Sequence, residues 1–193
     1  MVLKGVFVQY KFSLPKPLNL SSYGYQKLFR ALYGYTQSVY KANKKKYTYF
    51  RPGVLFFSPH LRTEKNSVLI EKGELQSLIA FFKNGENPTH KWVKRGDWKA
   101  TYYLDDRTVK PADAVASLEE LLARYYIKKN HKNHSLFDEL KNVGPSTESE
   151  YVKLLVSEAK TIVSREWFNE VYSLSNKLKE FKKAYQTAIS FNK

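Results

Sequence analysis

The 193-residue sequence contains no cysteine. This excludes disulfides, thiol nucleophiles and cysteine-ligated zinc, so a metal site would need histidine and carboxylate ligands. No stretch approaches the roughly 18 continuous apolar residues of a membrane span. Met1–Tyr10 has one lysine and a short alternating pattern, which is not typical of a signal peptide. We expect an intracellular, cytoplasmic protein without a membrane segment, and abundant lysine with a single methionine is compatible with a thermophilic source.

Acidic residues are scarce in the first 110 residues, where 20 lysines and arginines accompany 7 aspartates and glutamates, a net charge of +13. The other 83 residues carry 13 basic and 11 acidic side chains, a net of +2. The basic part also holds 20 of the 30 aromatic residues. Lysine and arginine neutralise phosphates while aromatic rings stack on bases, so this mixture favours a nucleic-acid partner. We expect a basic, aromatic-rich binding domain over 1–110 and a helical extension over 111–193.

Residue periodicity predicts an α+β fold for the first region. Alternating or β-branched stretches predict strands at 2–12, 46–57, 67–71 and 99–104, the second interrupted at Pro52-Gly53. Apolar residues at three- and four-residue spacing predict two helices. The first runs from Ser21 or Ser22 to Lys41 with Tyr35 in its core stripe, and the second runs from Gly73 to Lys83 with Asn84-Gly85 as its C-terminal stop. This order is that of the ferredoxin-like split β-α-β unit, a four-stranded antiparallel sheet with two helices on one face and the other face free.

The second region is predicted to be helical at 112–127, 135–142, 147–163 and 166–191, with Pro111 at the start of the first of these helices and a polar loop at 128–135. The last helix has a heptad seam, formed by Trp167, Val171, Leu174, Leu178, Phe181, Tyr185 and Ala188. Two interpretations stay open. The helix either packs on its own domain, or it mediates homodimerisation or docking on a partner helix.

Three stretches of the basic region are candidates for contacting nucleic acid. The first is a polar and aromatic ridge on the helix that begins near Ser21, followed by a lysine run: Arg30, Tyr33, Tyr40, Lys41, Lys44, Lys45 and Lys46. The second is the strand face formed by Tyr47, Tyr49 and Arg51, and the third contains Trp92, Lys94, Arg95, Lys99 and Tyr103. The alternatives are a solvated helix face with half-buried tyrosines, and tryptophans that anchor a loop in the core.

Motifs for catalysis or cofactor binding are weak, and we expect no cofactor. The sequence has no phosphate-binding loop, no Gly-x-Ser-x-Gly elbow and no His-Glu-x-x-His motif. His131 and His134, with Asp138, approach a metal cluster, but two histidines in a polar loop are more typical of a solvated surface, and Asp105-Asp106 fits a turn. No metal ligand is therefore predicted. His60 with Arg62, or His90 with Lys91, would supply the acid, base and cation of a metal-independent ribonuclease.

The leading hypothesis is a non-catalytic protein that binds single-stranded RNA or DNA, or a nucleic-acid-contacting subunit of a ribonucleoprotein assembly. Phosphate neutralisation and base stacking would hold the strand with little sequence preference. RNA and DNA are not distinguished by the sequence. The alternatives are the ribonuclease described above and a structural protein whose cations and tyrosines bind an acidic protein partner.

Overall fold

The computed structural model describes residues 2–14, 23–40, 46–85, 98–129 and 132–192. The fold is mixed α+β, with a four-stranded antiparallel sheet. The chain divides into two compact units, an N-terminal unit formed by Lys4–Arg107 and a C-terminal unit formed by Thr108–Lys193 together with Met1–Leu3. Among the described helices, none combines the length and the apolar character that a membrane crossing requires.

The described residues of the first part of the chain form two α-helices and six strands, with a 3-10 turn at Lys72–Glu74 just before the second helix. In chain order they are β1 (Leu3–Ser13), α1 (Tyr23–Tyr33), β2 (Tyr35–Tyr40), β3 (Lys46–Arg51), β4 (His60–Leu61), β5 (Ser67–Ile70), α2 (Leu75–Asn84) and β6 (Lys99–Val109). The four-stranded sheet has the order β4-β5-β1-β6. β1 and β5 pair in antiparallel register, with Val6 opposite Ile70 and Val8 opposite Val68. The predicted strands at 2–12, 67–71 and 99–104 are confirmed, the last extending to Val109.

One face of this sheet packs against both helices. Val6, Val8, Tyr10 and Phe12 alternate along β1 and join a core that includes α1 and α2 residues. The core members from the two helices are Tyr25, Leu28, Ala31, Leu32, Leu78, Phe81 and Phe82. α2 ends as predicted at Asn84, because Gly85 adopts φ 70° and donates its backbone N–H to the carbonyl of Phe81.

The opposite face is not free along the central strands, contrary to prediction. Phe7 and Leu69 face each other there and are both buried. The guanidinium carbon of Arg107 lies 3.5 Å from the centre of the Phe7 ring. The side chain of Arg107 therefore covers an aromatic ring that the sheet would otherwise expose.

The prediction of a helix reaching Lys41 is wrong. α1 ends at Tyr33, because Gly34 adopts φ 81° and donates its backbone N–H to the carbonyl of Arg30, a left-handed helix end that glycine tolerates best. The chain continues as β2, which pairs with β3 in a separate two-stranded sheet. The strand predicted at 46–57 therefore ends at Arg51 and belongs to this second sheet. The fourth strand of the main sheet is the short β4.

The C-terminal unit begins with α3 (Pro111–Arg124), which starts at its proline as predicted but ends three residues early. β7 (Tyr126–Lys129) and β8 (Lys132–Ser135) form an antiparallel hairpin where a helix end and a polar loop were predicted. α4 (Leu136–Lys141) and α5 (Ser149–Val163) agree with the predicted helices. The side chain of Ser135 accepts the Asp138 backbone N–H and caps α4.

The predicted helix over 166–191 is two helices, α6 (Glu166–Val171) and α7 (Asn176–Phe191), separated by a 3-10 turn at Tyr172–Leu174. Ser175 begins the second helix by accepting the Leu178 backbone N–H with its side chain. The seam is therefore discontinuous, and Leu174, at the break, is 63% exposed. The other seam residues are buried or half-buried, and α7 packs against α4 and α5 of its own unit.

Candidate nucleic-acid interface

The two-stranded sheet formed by β2 and β3, the ribbon, is held at its base by backbone contacts. The backbone N–H groups of Val54 and Leu55 donate to the carbonyls of Ala31 and Leu32, each at 2.9 Å, which satisfies the last turn of α1. Gly34 and Gly53 meet back to back at this point: a Cβ on Gly53 would collide with the Gly34 backbone nitrogen and with the carbonyl group of Leu32. Only glycine permits this approach.

Beyond its base, most of the described side chains of the ribbon are exposed to solvent. Thr36 to Tyr40 are all exposed, as are Lys46, Tyr49 and Arg51. Tyr40 is 69% and Tyr49 39% exposed. Because side chains alternate across a strand, Tyr49 and Arg51 lie on one face, and Tyr40 lies with Lys46 and Phe50 on the other. Both faces of the ribbon thus present aromatic and cationic groups.

Rings and guanidinium groups alternate from the last turn of α1 onto the first of these faces. The guanidinium carbon of Arg30 lies 5.0 Å from the centre of the Tyr35 ring, and that of Arg51 lies 5.8 Å from the centre of the Tyr49 ring. Tyr35 is directly opposite Arg51 in the register of the ribbon. These four residues, the Arg-Tyr row, offer phosphate-binding cations and base-stacking planes in alternation.

The structure separates the residues of the predicted helical ridge. Arg30 and Tyr33 are in the last turn of α1, whereas Tyr40 and Lys46 are on the ribbon. Tyr33 is half-buried, its ring stacks on Phe29, and its hydroxyl bonds to the Tyr10 hydroxyl at 2.9 Å. Burial raises the pKa of Tyr33 above its usual value. Tyr33 is therefore a neutral phenol packed on the core.

Several predicted residues lie outside the described part of the chain. They are Lys41, Lys44 and Lys45, in the connection between β2 and β3, and Trp92, Lys94 and Arg95. The side chain of Tyr47 is also outside it, although its backbone pairs with Val39. On β6, an edge strand, Lys99 is exposed and Tyr103 is 61% exposed. Tyr102 is half-buried and stacks on Phe82.

Next to the base of the ribbon, Tyr33 contacts two residues that the sequence could not place together. The guanidinium carbon of Arg62 lies 3.7 Å from the centre of the Tyr33 ring, and the His60 ring centre lies 5.6 Å from it. His60 Nδ1 bonds to the carbonyl of Ser58 at 2.9 Å, and His60 is 8% exposed. We call these three residues the His60 cluster.

Sequence reasoning missed the roles of two residues in these sites. Tyr35 is an aromatic residue of the ribbon, and Arg62 is an exposed cation that lies on the Tyr33 ring. Tyr35 was assigned to the core stripe of a helix, because its spacing from Leu32 fits a helical period. The signal that would have found it is Gly34, a typical helix stop, followed by the alternating and β-prone segment Tyr35–Tyr40. The sequence indicated Arg62 only as a cation beside His60 and gave no sign of its contact with Tyr33.

In the C-terminal unit, charged groups converge on Glu139. Tyr151 donates to Glu139 Oε2 at 2.8 Å, Lys129 Nζ lies 3.3 Å from the same atom, and His134 Nδ1 lies 3.0 Å from Oε1. Burial alone would raise the pKa of Glu139, but the bonds from Tyr151 and Lys129 outweigh it and lower that pKa. Within the described ranges, no three His, Cys, Asp or Glu side chains are grouped to hold a metal ion.

The part of the chain that the structure describes therefore carries an exposed surface rich in cations and rings, and two clusters of titratable groups. Comparisons with protein-family models, with curated proteins and with solved structures give no match for this chain.

Proposed function

We propose that this protein binds single-stranded nucleic acid, alone or as the nucleic-acid-contacting subunit of a ribonucleoprotein assembly. The observation that carries the proposal is the Arg-Tyr row, which extends from Arg30 at the end of α1 to the exposed Tyr49 and Arg51 of the ribbon. An isolated two-stranded hairpin gains little stability from burial, so exposed tyrosines on both faces are better explained by a ligand than by folding.

The ribbon suits a flexible strand because its groups alternate. A guanidinium beside a phenol can contact a phosphate while the ring stacks on the adjacent base, and each stacked base contributes roughly 1 to 3 kcal/mol. The β2–β3 connection adds three lysines in five residues, Lys41, Lys44 and Lys45 among 41–45. Binding would thus combine phosphate neutralisation and stacking, with little sequence preference.

The test is a fluorescence-anisotropy titration against single-stranded and duplex RNA and DNA at several salt concentrations. Five to eight phosphate contacts predict a log-log salt slope of roughly -3.5 to -6 for a single strand. Tyr40→Ala and Tyr49→Ala should each weaken binding at an unchanged slope, whereas Lys44→Ala and Lys45→Ala should each reduce the slope by about 0.7.

A matched control is the pair Lys182 and Tyr172 in the C-terminal unit, where the ammonium lies 3.5 Å from the ring centre. Like Arg51→Ala, Lys182→Ala removes a cation that lies near a ring. Because Lys182 is outside the proposed surface, its substitution should leave affinity unchanged. Failure to bind all four nucleic acids at low salt would contradict the proposal and favour the acidic protein partner.

We further propose that the main sheet is ferredoxin-like, with β4 as its short second strand and the ribbon as an insertion between α1 and β4. The order β4-β5-β1-β6 and the packing of α1 and α2 residues in one core support this arrangement. Homodimerisation or docking through 166–191 remains a proposal, for which exposed Leu174 is the one seam residue available on a described surface. Leu174→Asp with sedimentation analysis tests it.

A further inference from the structure

We infer that the nucleic-acid surface continues beyond the ribbon to the end of α1, where Arg62 contacts a phosphate of the bound strand. This inference rests on the proposed function and deepens it, because it places a phosphate contact outside the ribbon. It also assigns a role to Tyr33, which holds Arg62 in place and leaves base stacking to the tyrosines of the ribbon.

Arg62 and Arg107 both lie on aromatic rings of the N-terminal unit, but of the two only Arg107 is paired with a described carboxylate. Its guanidinium carbon lies 3.5 Å from the centre of the Phe7 ring, and its Nε forms an ion pair with Asp105 at 3.1 Å. The guanidinium carbon of Arg62 lies 3.7 Å from the centre of the Tyr33 ring. No carboxylate in the described ranges forms an ion pair with Arg62, and its side chain is exposed. Arg62 therefore has a charge available to an outside anion.

Tyr33 connects Arg62 to the Arg-Tyr row. Tyr33 and Arg30, the α1 member of that row, are three positions apart in the last turn of the helix, so their side chains are neighbours on one helix face. Arg30 in turn lies on Tyr35, which is directly opposite Arg51 in the ribbon. A series of neighbouring groups therefore leads from Arg62 to the ribbon.

The three arginines of this series are not balanced by acidic groups among the described residues. Arg30 and Arg51, like Arg62, form no ion pair with a described carboxylate. Positive charges placed next to one another repel, and bound anions relieve that repulsion. A strand offers phosphates in a regular series, so it can neutralise all three cations at once and release the counterions that it held. A polyanion therefore fits this series better than a single small anion does.

Tyr33 is suited to hold Arg62 and is poorly placed to stack on a base. Its ring is half-buried and already contacts Phe29 and His60 as well as Arg62. Its hydroxyl bonds to that of Tyr10 at 2.9 Å, which fixes the ring to the core. A side chain that rests on a fixed ring loses less conformational freedom on binding, so Arg62 should bind a phosphate more tightly than an unsupported arginine would. Tyr33 is thus a positioning residue.

The test is an anisotropy titration of the full chain with a fluorescently labelled oligouridylate, at salt concentrations from about 0.1 to 1 M. Loss of one phosphate contact reduces the log-log salt slope by about 0.7, so Arg62→Ala should bind about fivefold more weakly at 0.1 M salt and almost equally at 1 M. Arg62→Lys keeps the charge and should keep the slope. Thermal melting shows whether each variant is folded.

Two substitutions of Tyr33 test its positioning role. Tyr33→Leu removes the ring but leaves the cation of Arg62, so it should weaken binding by about two- to tenfold at an unchanged slope. Tyr33→Phe keeps the ring and should bind like the unmodified protein. Lower stability of Tyr33→Leu with unchanged affinity would show that Tyr33 serves the fold alone.

Arg107→Ala is the matched control, because it also removes a guanidinium from a ring in the N-terminal unit, one that Asp105 already pairs. Its salt slope should equal that of the unmodified protein. If Arg62→Ala keeps the full slope, or if both variants lose the same amount, Arg62 is not a phosphate contact, and the proposed function still stands. If the unmodified protein does not bind the oligouridylate or any other nucleic acid at low salt, the proposed function fails and this inference fails with it.

Discussion

The described part of the chain contains two separate two-stranded sheets, the ribbon and the β7–β8 hairpin, which are built alike but whose side chains are packed differently. The ribbon, β2 and β3, exposes residues on both faces. The hairpin of β7 and β8 buries Ile127 and ties Lys129 and His134 to Glu139 of α4. Two-stranded sheets need such packing to be stable in water. Side-chain packing thus ties the β7–β8 hairpin to its own unit, whereas exposed side chains of the ribbon, such as Tyr40 and Tyr49, stay open to solvent.

The largest expected effect comes from breaking the base of the ribbon. Gly53→Ala places a methyl group against the backbone of Gly34 and Leu32, which cannot move aside as a flexible side chain would. We expect the free energy of unfolding to fall by about 3 kcal/mol or more, with loss of nucleic-acid binding. Denaturant titration measures the first and anisotropy the second.

Gly73→Ala is the control for that substitution, because a Cβ at Gly73 meets no atom within 4 Å. Its free energy of unfolding should stay within about 0.5 kcal/mol of the unmodified protein or rise slightly. Equal destabilisation by both substitutions would contradict the close approach of Gly34 and Gly53.

The next largest effect is expected at the β7–β8 hairpin, where a substitution should lower stability without changing the ribbon. Glu139→Ala removes the acceptor shared by Tyr151, Lys129 and His134. We expect a loss of about 1 to 3 kcal/mol in the free energy of unfolding, measured with denaturant at pH 7. Nucleic-acid affinity should not change. A loss of affinity at unchanged stability would contradict our placement of the binding surface in the N-terminal unit.

Acidification should weaken the same anchor. Because the folded state lowers the pKa of Glu139 below its ordinary 4.5, the carboxylate contributes stability above about pH 4.5. That contribution is lost as the pH falls through the lowered value. The difference in unfolding free energy between the unmodified protein and Glu139→Gln should therefore be constant near neutrality and shrink in acid. A difference that grows on acidification would reverse the sign we expect.

The smallest effect on stability is expected at the ribbon surface. Tyr40→Ala and Arg51→Ala remove exposed side chains, so each should change the free energy of unfolding by less than about 0.5 kcal/mol. Both should nevertheless weaken binding. Thermal melting and anisotropy on the same samples would show whether these substitutions weaken binding without lowering stability, whereas Gly53→Ala should lower both. A large drop in melting temperature would mean that these ribbon side chains pack against the rest of the protein.

Much of the fold was predictable where residue spacing and chain breaks agree. The alternation of β1, the glycine after α2 and the proline at the start of α3 all predicted their elements. The prediction failed where spacing continued across a break. Tyr35 and Val39 continue the period of α1 beyond Gly34, and Leu174 continues the heptad across the cap at Ser175. In both cases a backbone conformation outweighed a side-chain pattern.

The candidate site was predictable in composition but not in arrangement. Tyr40, Lys46, Tyr49 and Arg51 were named from the sequence and are exposed on the ribbon. Their pairing with β2 depends on hydrogen bonds between segments that share no periodic signal. The contact of Arg62 and His60 with Tyr33 joins residues almost thirty positions apart, which a pattern within one segment does not encode.

The back-to-back glycines also constrain how this sequence can diverge. Exposed ribbon side chains, such as Tyr40 and Tyr49, can be exchanged one at a time, because they contact solvent, whereas neither Gly34 nor Gly53 can gain a side chain while the other keeps its place. Relatives that retain the ribbon should then share this glycine pair even where every tyrosine and arginine has changed. The two positions form a better signature for finding such relatives than the basic and aromatic residues that give the surface its chemistry.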